Sequence, residues 1–424
     1  MKVNSKRTIL MGFAFLSICT FWQMYDNIIP LILKNTFQLN EVATGFVMSV
    51  DNILAVFLLP LMGAFSDKVD TRWGKRTPFI VIGTIFAIIA MMFLPYASNI
   101  NNLYLFVGAL AITLIAMATY RSPAVALMPD LTPKPLRSKA NAIINLMGTV
   151  GGIIALVLIR MLLKDGDKVN YTPIFIGVAI VMVVSVIILL LTIKEKKLAD
   201  EVKIKYPETE ENEHLDADGK LDPDVVRSLK YLLASIFFWF VAYNAVTTAF
   251  SRYAKYTWKM QGGSFTNCLM VATIAAVLSY IPVGVIAGKL GRKKTILAGV
   301  LMMFISYVAA IFYANYHPSI NVFFALIGIG WAFINVNSFP MVVEMCKGAD
   351  VGRYTGFYYT ASMSAQILTP ILSGIFLQYI SYRTLFPYAA VFAAIAFFTM
   401  TKVKHGDVKP IEKKSALEHF DIDD

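Results

Sequence analysis

The chain has 424 residues, of which 57% are hydrophobic, and its mean hydropathy is positive. A water-soluble protein of this size does not carry so many long, nearly uncharged apolar runs, so the composition predicts a membrane protein whose main partner is the lipid bilayer. The formal net charge of +11 does not indicate a nucleic-acid partner, because the basic side chains lie in short loops between apolar runs. The three cysteines are widely separated and predict neither a disulfide framework nor a metal site.

Twelve apolar runs are long enough, at about 20 residues or more, to cross a bilayer. All twelve should be helical, because lipid offers backbone groups no hydrogen-bond partner. The first run resembles a signal peptide but lacks an A-x-A cleavage site, so we interpret it as the first span. The predicted spans are 8–33, 42–66, 78–97, 103–128, 139–163, 173–193, 229–251, 264–288, 295–315, 319–344, 354–379 and 384–402.

Basic residues concentrate at the N-terminus, in the loops that follow the even-numbered spans, and in the tail. Lys and Arg hold such segments on the cytoplasmic side of a membrane. The sequence therefore predicts a multi-pass protein of the plasma membrane with both termini in the cytoplasm.

A segment rich in Lys, Glu and Asp divides the spans into two groups of six. We interpret it as a solvated linker. The predicted organisation is an N-terminal six-helix bundle at 1–193, a cytoplasmic linker at 194–228, a C-terminal six-helix bundle at 229–402 and a cytoplasmic tail at 403–424.

The two halves repeat several sequence features at nearly the same offset. Pro60 and Gly63 precede the first basic loop as Pro282 and Gly284 precede a second one. The other repeated features pair Phe21-Trp22 with Phe238-Trp239, and Pro123 with Pro340. Such repeats predict two parallel bundles with a substrate site near the middle of the membrane between them.

The loop after the second span carries a recognisable motif. Gly63, Asp67, Lys68, Gly74, Lys75 and Arg76 follow the pattern Gly-x-x-x-Asp-(Arg/Lys)-x-Gly-(Arg/Lys)-(Arg/Lys), with four extra residues before Gly74. This pattern resembles that of major facilitator transporters. Its longer form, ending Arg-Trp-Gly-Lys-Arg-x-Pro-Phe-Ile, resembles the glycoside–pentoside–hexuronide:cation symporter family and its sucrose-transporter-like branch. Residues 121–132 and 352–359 extend the resemblance to both halves.

The resemblance implies an all-α fold of twelve transmembrane helices in two six-helix pseudo-repeats, and transport by alternating access. It also implies that the acid matching Asp67 bonds across the two halves and holds the outward-open state. The gating candidates are Gly63, Asp67, Arg72, Gly74, Lys75, Arg76 and Glu344. Glu344 has an equally simple interpretation as a solvated charge at a helix end.

Three ionisable residues lie inside predicted spans, where a charge is costly and therefore suggests function. Counting ~1.5 Å per residue from each span centre puts Asp26 ~9 Å and Asp51 ~5 Å to the outside, and Arg121 ~9 Å to the inside. Two carboxylates at similar depth favour retention of a proton. Alternatively, Asp51 is a solvated helix-end charge, Asp26 bonds a neighbouring helix, or Arg121 extends towards the cytoplasmic interface.

The family comparison favours protons over sodium as the coupling ion. Cation-coupled melibiose-type members carry two acids on the second helix where this chain has Ala55 and Leu59, and an acid on the fourth helix where it has Arg121. The sodium site of that branch is therefore missing. Asp26 is the first candidate for the proton carrier and Asp51 the second.

Polar and aromatic residues cluster in spans that line the cavity of major facilitator folds. Amides can bond sugar hydroxyls, and aromatic rings can pack on the C–H faces of sugars. Each residue could instead serve helix packing or face lipid. The substrate-binding candidates are Gln23, Asn27, Tyr120, Arg121, Asn145, Tyr243, Asn244, Trp331, Asn335, Asn337, Tyr358 and Gln366.

The sequence contains no catalytic constellation, phosphate-binding loop or metal-ligand spacing. We therefore expect a non-enzymatic, monomeric transporter without a cofactor. The predicted activity is proton-coupled symport of a small glycoside, for example the disaccharides sucrose or maltose. A uniporter or an exporter of another solute on the same fold is the main alternative, and a membrane receptor or scaffold is a remote one.

Overall fold

A computed structural model describes residues 5–133, 137–166, 169–205, 223–345 and 351–407. Over these residues the chain is almost entirely helical, and twelve helices are long and apolar enough to cross a membrane. The predicted fold class is therefore confirmed. The helices are α1 (Ser5–Asn35), α2 (Glu41–Lys68), α3 (Thr77–Asn99), α4 (Leu103–Asp130), α5 (Arg137–Leu162), α6 (Thr172–Thr192), α7 (Glu195–Lys205), α8 (Pro223–Tyr256), α9 (Thr266–Leu290), α10 (Arg292–Ile311), α11 (Ile320–Glu344), α12 (Val351–Tyr379) and α13 (Leu385–Thr401), with a short 3-10 helix at Tyr382–Thr384.

The linker contains structure that its composition does not predict. Its first part forms helix α7, and α8 begins at Pro223, inside the predicted linker. Glu195 opens α7, where an acid stabilises the positive end of the helix dipole, and proline suits a helix start because its missing N–H costs nothing. The acidic middle of the linker and the tail after 407 lie outside the described residues.

The chain forms two compact units. The first comprises Met1–Leu39, Val50–Thr209 and Met260–Asn267; the second comprises Asn40–Ser49, Glu210–Lys259 and Cys268–Asp424. The start of α2 thus groups with the second unit, and the segment before α9 groups with the first. The domain limits drawn from the sequence stay predictions.

Helix packing inside the first unit is repeated inside the second. In the first, α1 packs on α4, α5 and α6, and α3 packs on α4 and α6. In the second, α8 packs on α11, α12 and α13, and α10 packs on α11 and α13. Each contact in one unit has its counterpart six spans later, as the repeated sequence features predict.

Close helix contacts in both units depend on glycine. A Cβ atom on Gly151 of α5 would overlap the backbone carbonyl of Leu16 on α1, and Thr20 adds a hydrogen bond from its hydroxyl to the Gly151 carbonyl at 3.1 Å. In the second unit, a Cβ on Gly299 or on Gly330 would lie 2.6 Å from the carbonyl oxygen of the other. Small residues let helix backbones approach closely where lipid supplies no hydrophobic driving force.

Candidate functional site

The three ionisable residues of the spans all belong to the first unit. Asp26 lies on α1, Asp51 on α2 and Arg121 on α4, and each side chain is half-buried. Asp26 interacts electrostatically with both Asp51 and Arg121. The fold therefore brings two carboxylates and one guanidinium to the interior of a single helical bundle.

Arg121 rests on an aromatic ring. Its Cζ atom lies 5.6 Å from the ring centroid of Trp22, which precedes Asp26 by one helical turn on α1. Tyr25 packs edge-on against the same indole, with ring centroids 5.3 Å apart. A cation over an indole face gains about 0.5–2 kcal/mol, rising as water is excluded, so Trp22 and Tyr25 hold the half-buried Arg121 in place without neutralising it.

Asp26, Asp51 and Arg121 are not paired with one another. Among the described residues, Arg121 forms no ion pair with Asp26 or Asp51. Asp51 accepts a hydrogen bond at 2.9 Å from the side-chain amide of Asn52. A direct Asp26–Arg121 bond is therefore absent from the described part of the chain, and these charges remain available to a proton or a ligand.

Several buried polar atoms near the cluster lack a partner among the described residues: Nε1 of Trp22, the hydroxyl of Tyr25 and Oδ1 of Asn27. The amide nitrogen of Asn27 donates to the carbonyl of Gln23 at 2.9 Å. In the second unit, Nε1 of Trp239 and Nδ2 of Asn244 are also unbonded. A buried, unsatisfied polar atom costs about 1–3 kcal/mol, so such atoms are good candidates for bonds to a ligand.

The second unit contributes an aromatic stack. Tyr243 on α8 lies parallel to Trp331 on α11, with ring centroids 3.8 Å apart and an interplanar angle of 5°. Phe240 meets Trp331 edge-on at 5.2 Å. All three rings belong to the candidate set or flank it, and an indole face of this kind suits the C–H face of a sugar.

The remaining substrate candidates differ in exposure. Tyr120 is fully buried, and its ring packs where Gly83 of α3 leaves space. Asn337 donates to the carbonyl of Phe333 in its own helix at 2.9 Å, and the hydroxyl of Tyr358 lies 3.3 Å from that of Ser338. Asn335 is buried, whereas Gln23, Asn145 and Gln366 are half-buried.

The basic loop after α2 is organised around Arg76. Its guanidinium forms a short ion pair with Asp67 at the end of α2 and a second one at 2.7 Å with Asp130 at the end of α4. Burial lowers the pKa of Arg76, but its bonds to Asp130 and Asp67 outweigh this effect and raise the pKa overall. Within the basic loop, the ion-pair partner of Asp67 is therefore Arg76.

The rest of the loop explains the four-residue insertion. Thr71 and Gly74 form a two-residue hairpin, with backbone hydrogen bonds of 3.1 and 3.3 Å. Gly74 has a φ of +112°, which favours glycine. Arg72 lies 5.7 Å above the ring of Trp73 and, like Lys75, is exposed. Gly63 allows α2 to approach α4, because an added Cβ would lie 2.9 Å from the hydroxyl of Ser122.

Glu344 has a partner in the second basic loop. Its carboxylate lies 2.7 Å from the guanidinium of Arg292, at the start of α10. The same arrangement, a carboxylate at the end of a fourth span bound to an arginine at the start of a third span, links Asp130 to Arg76 in the first unit. The described contact fits an ion pair rather than a solvated helix end.

Sequence reasoning missed a buried ion pair in the second unit. Glu41, the first residue of α2, binds Arg252 of α8 at 2.9 Å, and both side chains are at most 4% exposed. Tyr382 donates a short hydrogen bond to the same carboxylate. The two charges lie just beyond the predicted spans 42–66 and 229–251, and neither is among the candidate residues identified from the sequence. Their positions at opposite span ends on the same side of the membrane were the available signal.

Three curated relatives resemble parts of the chain. A sucrose transport protein of Arabidopsis thaliana is 25% identical over 138 residues, which cover 28% of this chain and 23% of that protein. A sucrose transport protein of Oryza sativa subsp. japonica is 23% identical over 171 residues, or 36% of this chain and 32% of that protein. An uncharacterized symporter of Synechocystis is 25% identical over 185 residues, which cover 39% of this chain and 34% of that protein. The chain thus spans about a quarter to a third of the length of these relatives.

Solved structures share the fold over nearly the whole chain. The nucleoside transporter NupG has a TM-score of 0.68 at 15% identity and covers 95% of this chain and 100% of its own. The inward-open xylose transporter XylE from E. coli also has a TM-score of 0.68, at 14% identity, with 98% of both chains covered. The model of the Major Facilitator Superfamily matches residues 11–320 and 232–420. This protein is therefore a transporter rather than an enzyme, and it belongs to the major facilitator superfamily, with similarity to sucrose transport proteins.

Proposed function

We propose that this protein is a proton-coupled symporter of a small glycoside, with disaccharides such as sucrose or maltose as the first substrates to test. The observation that carries the proposal is the cluster of Asp26, Asp51 and Arg121 inside the first unit, with its charges free of ion pairs to one another. The partial similarity to sucrose transport proteins supports a sugar as substrate. The chain's own aromatic rings and buried amides support the same class.

Each residue of the cluster has a distinct proposed role. Asp26 carries the proton and Asp51 is the second candidate, since two carboxylates near one another favour the state in which one of them is protonated. Arg121 is proposed to bind sugar hydroxyls, because a guanidinium offers five N–H donors in a fixed plane. Protonation of Asp26 would change the charge that faces Arg121, which provides a physical route for coupling proton and sugar.

Uptake by proteoliposomes tests the proposal directly. Labelled sucrose and maltose are supplied with and without an inward proton gradient, for the wild type, Asp26→Asn and the exposed loop variant Asp70→Asn. We expect gradient-driven accumulation in the wild type and in Asp70→Asn. In Asp26→Asn, accumulation should be lost while downhill exchange persists.

Other outcomes would redirect or reject the proposal. Accumulation in Asp26→Asn moves the carrier role to Asp51. Downhill transport that ignores the proton gradient identifies a uniporter, and failure to accumulate any sugar under proton or sodium gradients rejects glycoside symport.

The alternative of a uniporter or an exporter gives Asp26 only a structural role. A structural acid is expected to bond a neighbouring helix, yet among the described residues no hydrogen bond to the Asp26 carboxylate is present. This observation favours the symporter. We further propose that the protein works as a monomer in the plasma membrane, with both termini in the cytoplasm.

A further inference from the structure

The start of α3 is capped by a residue that lies far away in the sequence. The Glu195 carboxylate accepts backbone hydrogen bonds from Lys75 at 2.6 Å, Arg76 at 2.9 Å and Thr77 at 2.7 Å, and a fourth from the Thr77 hydroxyl at 2.7 Å. Glu195 is only 4% exposed. The residue before α3 offers no side-chain cap of its own, so Glu195 satisfies donors that the helix leaves open.

A second carboxylate occupies the matching place in the other unit. Asp407 accepts the backbone hydrogen bond of Lys293 at 2.9 Å, in the first turn of α10, which has no side-chain cap of its own. The Lys293 ammonium donates to the carbonyls of Thr401 and Val403, at 3.0 and 2.6 Å. The segment that leaves α13 is thereby bound to the start of α10 at several points.

The two contacts are equivalent under the internal repeat. Glu195 follows α6, the sixth span, and Asp407 follows α13, the twelfth. Each caps the third span of its own unit, at amides one to three residues after a glycine with positive φ: Gly74 at +112° and Gly291 at +89°. A Cβ on either glycine would collide with the capping carboxylate. Both halves therefore preserve a carboxylate, a glycine and a helix start in one arrangement.

We propose that Glu195 and Asp407 are positioning residues of the transport cycle, each holding the basic loop of its unit through the start of a third span. The proposal rests on the transport function proposed above. In the first unit, Glu195 fixes the backbone of Arg76, whose side chain ties Asp67 on α2 to Asp130 on α4. In the second unit, Asp407 binds next to Arg292, which pairs with Glu344 on α11.

A purely structural cap makes a different prediction from a positioning residue. Loss of a cap exposes only the amides that the carboxylate covered. Loss of a positioning contact also releases the Arg76 bridge, so the end of α2 and the turnover rate should change as well. The two roles can therefore be separated in the folded protein.

Hydrogen exchange of the reconstituted full-length protein is the first test. The variants are Glu195→Gln, the conservative Glu195→Asp, and Asp200→Asn as a control, because Asp200 is exposed on the same helix. In Glu195→Gln we expect exchange at residues 75–77 to accelerate about tenfold or more, since bonds to a charged group are lost. Exchange at the end of α2, around Asp67, should accelerate with it, whereas Asp200→Asn should match the wild type and Glu195→Asp should lie between.

Uptake kinetics supply the second test, on equal amounts of folded protein. Glu195→Gln should lower the maximal rate about fivefold or more with little change in KM, and Asp407→Asn should act in the same direction but less, since Asp407 is exposed. The double variant Glu195→Gln, Arg76→Lys should lose less of the maximal rate than the two single variants predict together, because both residues act through the same bridge.

Two results would overturn the inference. One is faster exchange confined to residues 75–77, and the other is a wild-type maximal rate in a folded Glu195→Gln variant. If the wild type moves no sugar, the proposed function fails, but the exchange pattern around Asp67 still decides whether Glu195 positions the Arg76 bridge.

Discussion

At the residue scale, the contact between Arg121 and Trp22 is the most informative detail of the candidate site. The chain holds a comparable pair outside this site, since Arg72 lies 5.7 Å from Trp73 in the exposed basic loop. The two pairs share geometry but differ in environment. A cation over an aromatic ring contributes about 0.5–1 kcal/mol at an exposed site and about 2 kcal/mol when desolvated.

This difference gives a matched prediction. Trp22→Leu should raise KM for the proposed sugar substrate about tenfold, because Arg121 loses the ring that holds it. Trp73→Leu should leave KM within about twofold. Initial rates of uptake measured at several sugar concentrations give both KM values. Equal KM values for the two variants would show that Trp22 does not contribute to substrate binding.

A second residue-scale prediction concerns Gly74. Gly74→Ala places a Cβ at a φ of +112° and against the Glu195 carboxylate, so it should lower the free energy of unfolding by about 1–3 kcal/mol. Gly108→Ala is the control, because an added Cβ on this α4 residue meets nothing within 4 Å and alanine favours helix. Thermal unfolding in detergent checks the pair; a Gly74→Ala variant as stable as Gly108→Ala would contradict the strain argument.

At the element scale, the Glu41–Arg252 ion pair joins the start of α2 to α8 within the second unit. Tyr382, in the 3-10 helix before α13, donates a hydrogen bond to the same carboxylate. A buried ion pair stabilises the folded protein little compared with apolar residues in its place. Removal of one partner, however, leaves the other charge buried and unpaired, which costs about 3–5 kcal/mol. The connection between these elements should therefore depend on both residues.

We expect Glu41→Gln to lower the unfolding temperature strongly and the Glu41→Leu, Arg252→Met double variant to recover much of the loss. The control is Lys196→Gln, which removes an exposed pair with Asp70 and should cost less than about 1 kcal/mol. Thermal unfolding of purified protein measures all three. A double variant less stable than Glu41→Gln would argue that the two charges contribute favourably as a pair.

At the scale of the whole molecule, the alternation of basic loops predicts the direction of insertion. A fluorescent protein fused to the C-terminus should fluoresce, and alkaline phosphatase fused there should be inactive, because the basic loops predict that both ends face the cytoplasm. Fusion of the chain truncated at Asn101, between α3 and α4, should give the opposite result. Active phosphatase at the C-terminus would overturn the predicted orientation.

Most helices of the fold could be predicted from local sequence. Span length is set by bilayer thickness, so an apolar run identifies a helix wherever it lies in the chain. The linker helix α7 could not be predicted in this way, because it is charged. Its position depends on the bonds that Glu195 makes with Lys75, Arg76 and Thr77, which are remote in sequence.

The residues of the candidate site could also be predicted only in part from local sequence. Asp26, Asp51 and Arg121 were identifiable because a charge inside an apolar run stands out locally. The partner of each charge was not identifiable, and Glu41 and Arg252 were missed because helices α2 and α8 extend beyond their apolar runs. The electrostatic partner of a residue depends on which residues lie near it in the folded chain, and local composition does not show this.

The sequence by itself determined the twelve spans, the internal repeat and the basic loop motif, since hydrophobic length and spacing are properties of short segments. Only the tertiary structure decided that Arg76 binds Asp67 and Asp130, that Arg121 rests on Trp22, and that carboxylates after the sixth and twelfth spans cap the third helix of each unit. These contacts join residues tens to hundreds of positions apart, and they form only when helix packing brings the backbones together.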